Sequence, residues 1–408
     1  LTSRGEFDAF VMHVTASGTI DWAVQAGGSY SDEGLGIAYD GAGGALVTGH
    51  FCGDASFGSS SFASRGVFDV FVMHVTKSGA IDWAVQAGGD LDDKGHGIAH
   101  DGAGGSLVTG YFQGEASFGS SSLTSRAMYD AFVMHVAASG AIDWAVQAGG
   151  VQGGMALGSY GIAYDGAGGA LVTGDFSGDA WFGSKTFHSR GEHDAFVMHV
   201  TPSGAIDWTI QAGGTANDIG YGIAHDGAGG ALATGGFSGA AWFGSTSLLS
   251  RGMVDAFVMH VTASGAIDVA VQAGGRSKAI GYGVAYDGGG GGALVTGHFV
   301  GDVSFGSKMV TGGDAASCFA ASIVAPLRTP LPGSEKVDLI NLPPSSSPAA
   351  TPTATPIRAA APEHGPFVVT ALAYSVAILM VIIFCICCGQ RWARRKRMSG
   401  RLRVPLEW

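Results

Sequence analysis

Charge is scarce in this chain: only 13% of its 408 residues are Asp, Glu, Lys or Arg. Cysteine is scarcer, and of the five cysteines only Cys52 and Cys318 precede residue 325. That count excludes a disulfide-stapled scaffold. A bridge between those two would need Cα atoms within about 7 Å; they occupy different positions of the repeat described below and read as two separate buried thiols. Neither Asn217 nor Asn341 is followed by the hydroxyl residue of a sequon, which excludes N-glycosylation. Basic residues are missing where nucleic acid would need them. Residues 1–388 carry 14 Lys/Arg against 32 Asp/Glu, and the remaining seven Lys/Arg crowd into 389–408 beside one acid. An acidic body with a basic tail excludes a nucleic-acid-binding repeat. An export signal is lacking too: the chain opens at Leu1 inside a repeat, so we expect further sequence upstream.

What abounds is glycine, 70 of 408 residues. That is too much for a helical bundle, and it lacks the every-third spacing of collagen. It suits many short strands joined by tight turns. The strands repeat. DAFVMHV at Asp8 returns, once as DVFVMHV, at Asp69, Asp130, Asp194 and Asp255, with a degraded copy at Ser317; the steps are 61, 61, 64, 61 and 62 residues. Each unit reads as four strands: GIAYD (36–40), ALVTGHF (45–51), DVFVMHV (69–75) and AIDWAVQAGG (80–89). A serine-rich connection through Phe57 and Gly58 links the second to the third. Alternating apolar and polar residues, with turn residues between the runs, carry this reading. A single four-stranded sheet buries no core alone, so the units must pack on one another. Radial packing predicts an all-β chain, a β-propeller of four-stranded blades, five or six in number.

The hairpin turn GAGG follows Asp40, Asp101, Asp165 and Asp226, and GGGG follows Asp287. Glycine supplies the positive φ of the turn, and the aspartate is placed to bond its backbone. One carboxylate per turn is too few for calcium. Arg4, Arg65, Arg126, Arg190 and Arg251 each stand four residues before a strand aspartate, which suggests an internal ion pair. His13, His74, His135, His199 and His260 recur once per unit. Blades would hold these imidazoles too far apart for the ligand distances of about 2 Å that a metal ring requires. Nothing in the sequence implies a metal or a cofactor. Trp22, Trp83, Trp144 and Trp208 read as contacts between units.

The order GIAYDGAGGALVTGHFCGDASFG, a serine-rich run, then DVFVMHVTKSGAIDWAVQAGG resembles the SBBP β-propeller repeat family over about residues 1–324. That family runs GIAVD, turn, YVTG, then DAFVAKL, an SG turn and a strand ending in GG. This chain departs from it with His in place of Lys in the third strand, and with Ala-Gly-Gly where Gly-Asn is commoner. The resemblance implies a propeller in an exported or surface protein. It brings no catalytic residues.

Beyond residue 324 the composition changes. Ten of twelve prolines fall between Pro326 and Pro366, among serines and threonines, and 325–366 reads as an extended stalk open to O-glycosylation. Residues 367–388 are 22 residues without a charge, a candidate transmembrane helix. The basic tail 389–408 places the C-terminus in the cytosol, hence the repeats on the extracellular or luminal side of a plasma or internal membrane. Cys385, Cys387 and Cys388 at the inner boundary are candidates for lipidation.

A single-pass type I protein that presents its propeller for recognition or adhesion is the expected function, with an extracellular protein or glycan as ligand. The loops that return the chain to each GIA vary most, and binding surfaces favour such places. Just before the inner strands stand Leu35, His96, Tyr160, Tyr221 and Tyr282, with Asp32, Asp93 and Asp218 flanking three of them; these eight are the candidate ligand-binding residues. A ligand-free coat or spacer is the alternative, favoured by the near-identity of the units. An exported hydrolase or lyase would need unlike groups gathered in one unit. Asp92 and Asp93, with only Lys94 and His96 beside them, are the nearest approach. We therefore expect no enzyme. No motif specifies an oligomeric state.

Overall fold

The computed structural model describes residues 1–150, 157–288, 292–324 and the strand 336–339. Among the described residues every regular element is a β-strand, and no helix is long and apolar enough to cross a membrane. The expected span at 367–388, the tail and the three juxtamembrane cysteines lie outside the described residues.

The chain opens with β1 (Ala9–Val14) and β2 (Ile20–Gly28), an antiparallel pair that corresponds to the third and fourth strands of a unit. Unit one then contains β3 (Glu33–Tyr39), β4 (Ala45–Phe51), β5 (Asp54–Phe57), β6 (Ser60–Ala63), β7 (Asp69–Val75) and β8 (Ile81–Gly89). Strands β3, β4, β7 and β8 form the expected meander. The serine-rich connection is not a plain link. It is the hairpin β5–β6, and it joins the sheet of the preceding unit by pairing β5 with Gly27 and Gly28 of β2. Units two (94–150), three (157–214) and four (218–275) repeat this plan, so that six-stranded sheets result, four strands from one unit and two from the next. Each unit is thus bolted to its predecessor by main-chain hydrogen bonds as well as by side chains.

The core lies between successive units. The third strand of each unit is covered on both faces: in β7, Phe71, Met73 and Val75 join the core shared with the preceding unit, while Val70 and Val72 join the next. The hairpin supplies the lid. Phe57 packs on Phe71 with ring centroids 4.8 Å apart, and Phe118–Phe132, Phe182–Phe196, Phe243–Phe257 and Phe305–Phe319 repeat the contact. Phe10 of β1 has no such lid and is 57% exposed where Phe71 is fully buried. The tryptophans do lie between units. Trp22 donates its indole N–H to the Lys77 carbonyl in the turn between β7 and β8, and its ring covers Gly79.

Three sequence expectations change here. The arginine side chains bond the carbonyls of Gly27, Gly88, Gly213 and Gly274, and among the described residues only Arg190 comes within 4.0 Å of its aspartate. The aspartates instead accept backbone N–H groups at the arginine positions and the Gln side chains of the fourth strand. Cys52 and Cys318 are free thiols as expected, but neither is buried: Cys52 is half-buried and Cys318 is exposed. Finally, Lys336–Leu339 pairs with Ser317–Val324, placing a strand of unit five inside the segment read as stalk.

Candidate functional site: an aromatic arc

The first strand of each unit carries a small residue, a variable residue and a glycine: Gly34-Leu35-Gly36, Gly95-His96-Gly97, Ser159-Tyr160-Gly161, Gly220-Tyr221-Gly222 and Gly281-Tyr282-Gly283. The middle residue is skipped in the pairing; Gly34 faces Gly49 and Gly36 faces Thr48, leaving Leu35 in a β-bulge, and every unit repeats this. Bulges re-aim side chains and are common beside binding sites. The glycine after the bulge is required by contact. A Cβ on Gly36, Gly97 or Gly161 would lie 2.9, 2.8 or 2.7 Å from the carbonyl oxygen of His96, Tyr160 or Tyr221 in the next unit. The first strands of successive units therefore touch backbone to backbone, and the bulged residue is the one free to change.

These residues form a continuous row. His96 stacks on Tyr160 at 5.3 Å between centroids, Tyr160 meets Tyr221 at 5.6 Å, Tyr221 meets Tyr282 at 5.2 Å, and Tyr282 meets His298 at 5.4 Å. Leu35 holds the same bulge position in unit one. All five bulged residues are half-buried. The rings are neutral at ordinary pH. Burial holds His96 below the usual imidazole range, although its Nδ1 lies 3.0 Å from the Ser159 carbonyl. Burial pushes the Tyr221 phenol up to about 12, and burial together with the nearby Asp175 charge pushes Tyr160 up further.

Asp32, Asp93 and Asp218 adjoin this end but are fully buried. Each holds the return loop to two backbone N–H groups: Gly28 and Cys52 for Asp32, Gly89 and Gln113 for Asp93, Gly214 and Ser238 for Asp218. Burial pushes Asp93 and Asp218 up to about 7 against those bonds, and the neighbouring Asp69 and Asp194 charges add to the rise. Burial also raises Asp32.

A second set at the same end was not anticipated. The penultimate residue of the second strand packs on the residue before the third: His50 on Phe68 at 4.8 Å, Tyr111 on Tyr129 at 4.7 Å, and Asp175 against His193 with Nδ1 2.6 Å from Oδ2. Lys94 lies over the Phe68 ring at 4.2 Å. Tyr111 also touches His96, joining the two sets. The signal was present in the sequence: these two positions change from unit to unit inside strands that otherwise hardly change.

The repeated strand histidines do something different. Four of the five sit between two aspartates, as His74 does between Asp82 at 2.7 Å and Asp40 at 3.0 Å, and His135, His199 and His260 copy this. Among the described residues no group of three or more His, Cys, Asp or Glu is arranged to hold a metal. No family model and no curated protein matches the chain.

Proposed function

We propose that the chain is a membrane-anchored recognition protein: a non-catalytic β-propeller that presents its aromatic arc to an extracellular protein or glycan. One observation carries this reading. The framework is nearly constant from unit to unit, while the bulged residues and the two packed positions vary and meet at one end. Invariant packing with variation confined to one surface is the pattern of a scaffold that displays a site. Stacked, neutral, half-exposed rings suit sugar faces or aromatic and apolar peptide side chains, which gain from flat aromatic contact.

Support for the propeller is the radial logic of the units: inner strands in mutual contact, outer strands carrying the neighbour's hairpin. Support for the anchor is the uncharged run at 367–388 with basic residues after it. The test is a glycan and peptide array probed with the full chain and with a variant in which Tyr160, Tyr221 and Tyr282 are all Ala. We expect a restricted set of ligands, lost in the variant. Absence of any specific ligand would instead favour a structural coat, and binding unchanged in the variant would remove the arc as the site.

A further inference from the structure

We propose that unit three carries a subsite for a primary ammonium group, formed by Asp175 and His193 beside Tyr160 and Tyr221. The proposal rests on the recognition reading and names the chemistry of one part of that site.

Unit three is where the repeat departs from itself. Its step is 64 residues instead of 61, the extra length falling in the return loop before Tyr160. Ser159 replaces the glycine found before the bulge in the other four units, and its hydroxyl bridges Thr109 Oγ1 and the Gly110 carbonyl, both at 2.6 Å. At the paired variable positions the other units place His50 and Phe68, Tyr111 and Tyr129, Gly236 and Val254, or His298 and Ala316; unit three alone places an acid against a base. Loop lengthening and changed chemistry coincide in one unit.

Asp175 is 4% exposed. Its Oδ2 is engaged by His193 at 2.6 Å, while its Oδ1 is buried without a hydrogen-bond partner. The Tyr160 phenol lies beside this carboxylate and is raised by burial first and then by its charge and hydrogen bond, while Oδ1 itself keeps no partner. A buried carboxylate oxygen without a donor is unfavourable by an amount comparable to several hydrogen bonds. A ligand that brings a donor recovers that loss. Glu192 adds a second negative charge beside the single imidazole, and the bond from Asp175 raises His193 above its ordinary value despite burial. The corner is acidic, and the Asp175 charge reaches Tyr160 and Tyr221, whose aromatic rings are 5.6 Å apart and tilted by 39°. Cations bind aromatic faces.

The geometry also selects among cations. A guanidinium fork wants both carboxylate oxygens, and Oδ2 is already taken. A quaternary ammonium has no N–H to give Oδ1. A primary ammonium has three donors on one small charge and needs only one acceptor. Its source is a lysine-type side chain or an amino sugar, which share that chemistry.

The test uses the full chain with labelled tyrosine rings, titrated with n-butylammonium, tetramethylammonium, methyl glucoside, glucosamine and Nα-acetyl-lysine amide and followed by NMR. We expect n-butylammonium to shift Tyr160 and Tyr221 saturably, with tetramethylammonium and methyl glucoside at least tenfold weaker. Asp175→Asn should weaken n-butylammonium tenfold or more. So should Asp175→Gly with His193→Val, which copies the unit-four pair and therefore has a precedent for folding. The stronger of glucosamine and Nα-acetyl-lysine amide identifies the source. Equal binding of tetramethylammonium, no saturable shift with n-butylammonium, or indifference to both variants would overturn the subsite. If array ligands still bind through the arc in that case, the recognition reading stands without it; if the array is blank, the recognition reading itself has failed.

Discussion

His74 and Asp40 are 34 residues apart in the chain, yet His74 Nε2 lies 3.0 Å from Asp40 Oδ2. The other oxygen of Asp40 accepts the N–H groups of Ala42 and Gly44, at 2.7 and 2.8 Å, and so holds the β3–β4 turn. The other nitrogen of His74 reaches Asp82 in β8 at 2.7 Å. One imidazole thus ties the turn of the first hairpin to the third and fourth strands, across the whole sheet of its unit.

His74→Ala should therefore destabilise unit one by about 1–3 kcal/mol, because it strips a donor from a nearly buried carboxylate. His13 provides the contrast: it meets Asp21 alone, and both side chains are nearly half exposed. His13→Ala should leave the urea midpoint unchanged. Equal losses at the two positions would show that the buried bond to Asp40 is not the source.

Stability should fall as pH rises from about 4 to about 8. Asp93 and Asp218, raised to about 7, favour folding while protonated, so their contribution is complete only below about 4, declines as pH rises from there and is gone once pH passes 7. His74 acts in the same direction. Burial disfavours its charge, but the bonds to Asp40 and Asp82 outweigh this and raise its pKa; its contribution is present below about 6.5 and fades as pH passes the folded value. Asp40, Asp101, Asp165 and Asp226 act oppositely. Burial alone would raise them, yet the histidine and turn N–H bonds lower them, so their share is lost in acid as pH falls below the ordinary carboxylate range. Urea melts across pH should give a maximum on the acid side of neutrality. Asp93→Asn with Asp218→Asn should flatten the decline above it.

Between units four and five lies a largely apolar cavity of about 440 Å³, lined by Val258, Val271, Val295, Phe305, Phe319 and Ala321 among others. Its origin is visible in the repeat: Met73, Met134, Met198 and Met259 become Ala321 in unit five. Ala321→Met should fill part of the space and stabilise the protein by about 1–2 kcal/mol. A lower melting temperature would mean that the site is too tight for the larger side chain.

The membrane assignment makes a separate prediction. Full-length chain translated with microsomes should resist carbonate extraction, and deletion of 367–388 should release it. Replacing Cys385, Cys387 and Cys388 by Ser should abolish acyl-exchange labelling. Extraction of the intact chain by carbonate would contradict the anchor.

Strands, turn aspartates and the row of bulged residues were all legible in the sequence, because each depends on local pattern or on a chemical change at a fixed position of the repeat. The β5–β6 hairpin was not. Its strands are four residues each, and their partner sits in another unit, where no local alternation announces it. Asp32, Asp93 and Asp218 were misleading for a related reason: polar residues in a variable loop suggest exposure, and only the fold reveals the backbone N–H groups that draw them inside. The arginines met glycine carbonyls because a carbonyl carries no sequence label, whereas a nearby aspartate does.

The central claim is that variation among the units gathers at one binding surface. The most direct measurement is ring-resolved NMR of the full chain with the tightest ligand from the array. The account predicts shifts at Tyr160, Tyr221 and Tyr282, with Trp22, Trp83 and Trp144 unmoved. Shifts confined to the tryptophans between the units, or to Phe305 and Phe319 at the cavity, would contradict it.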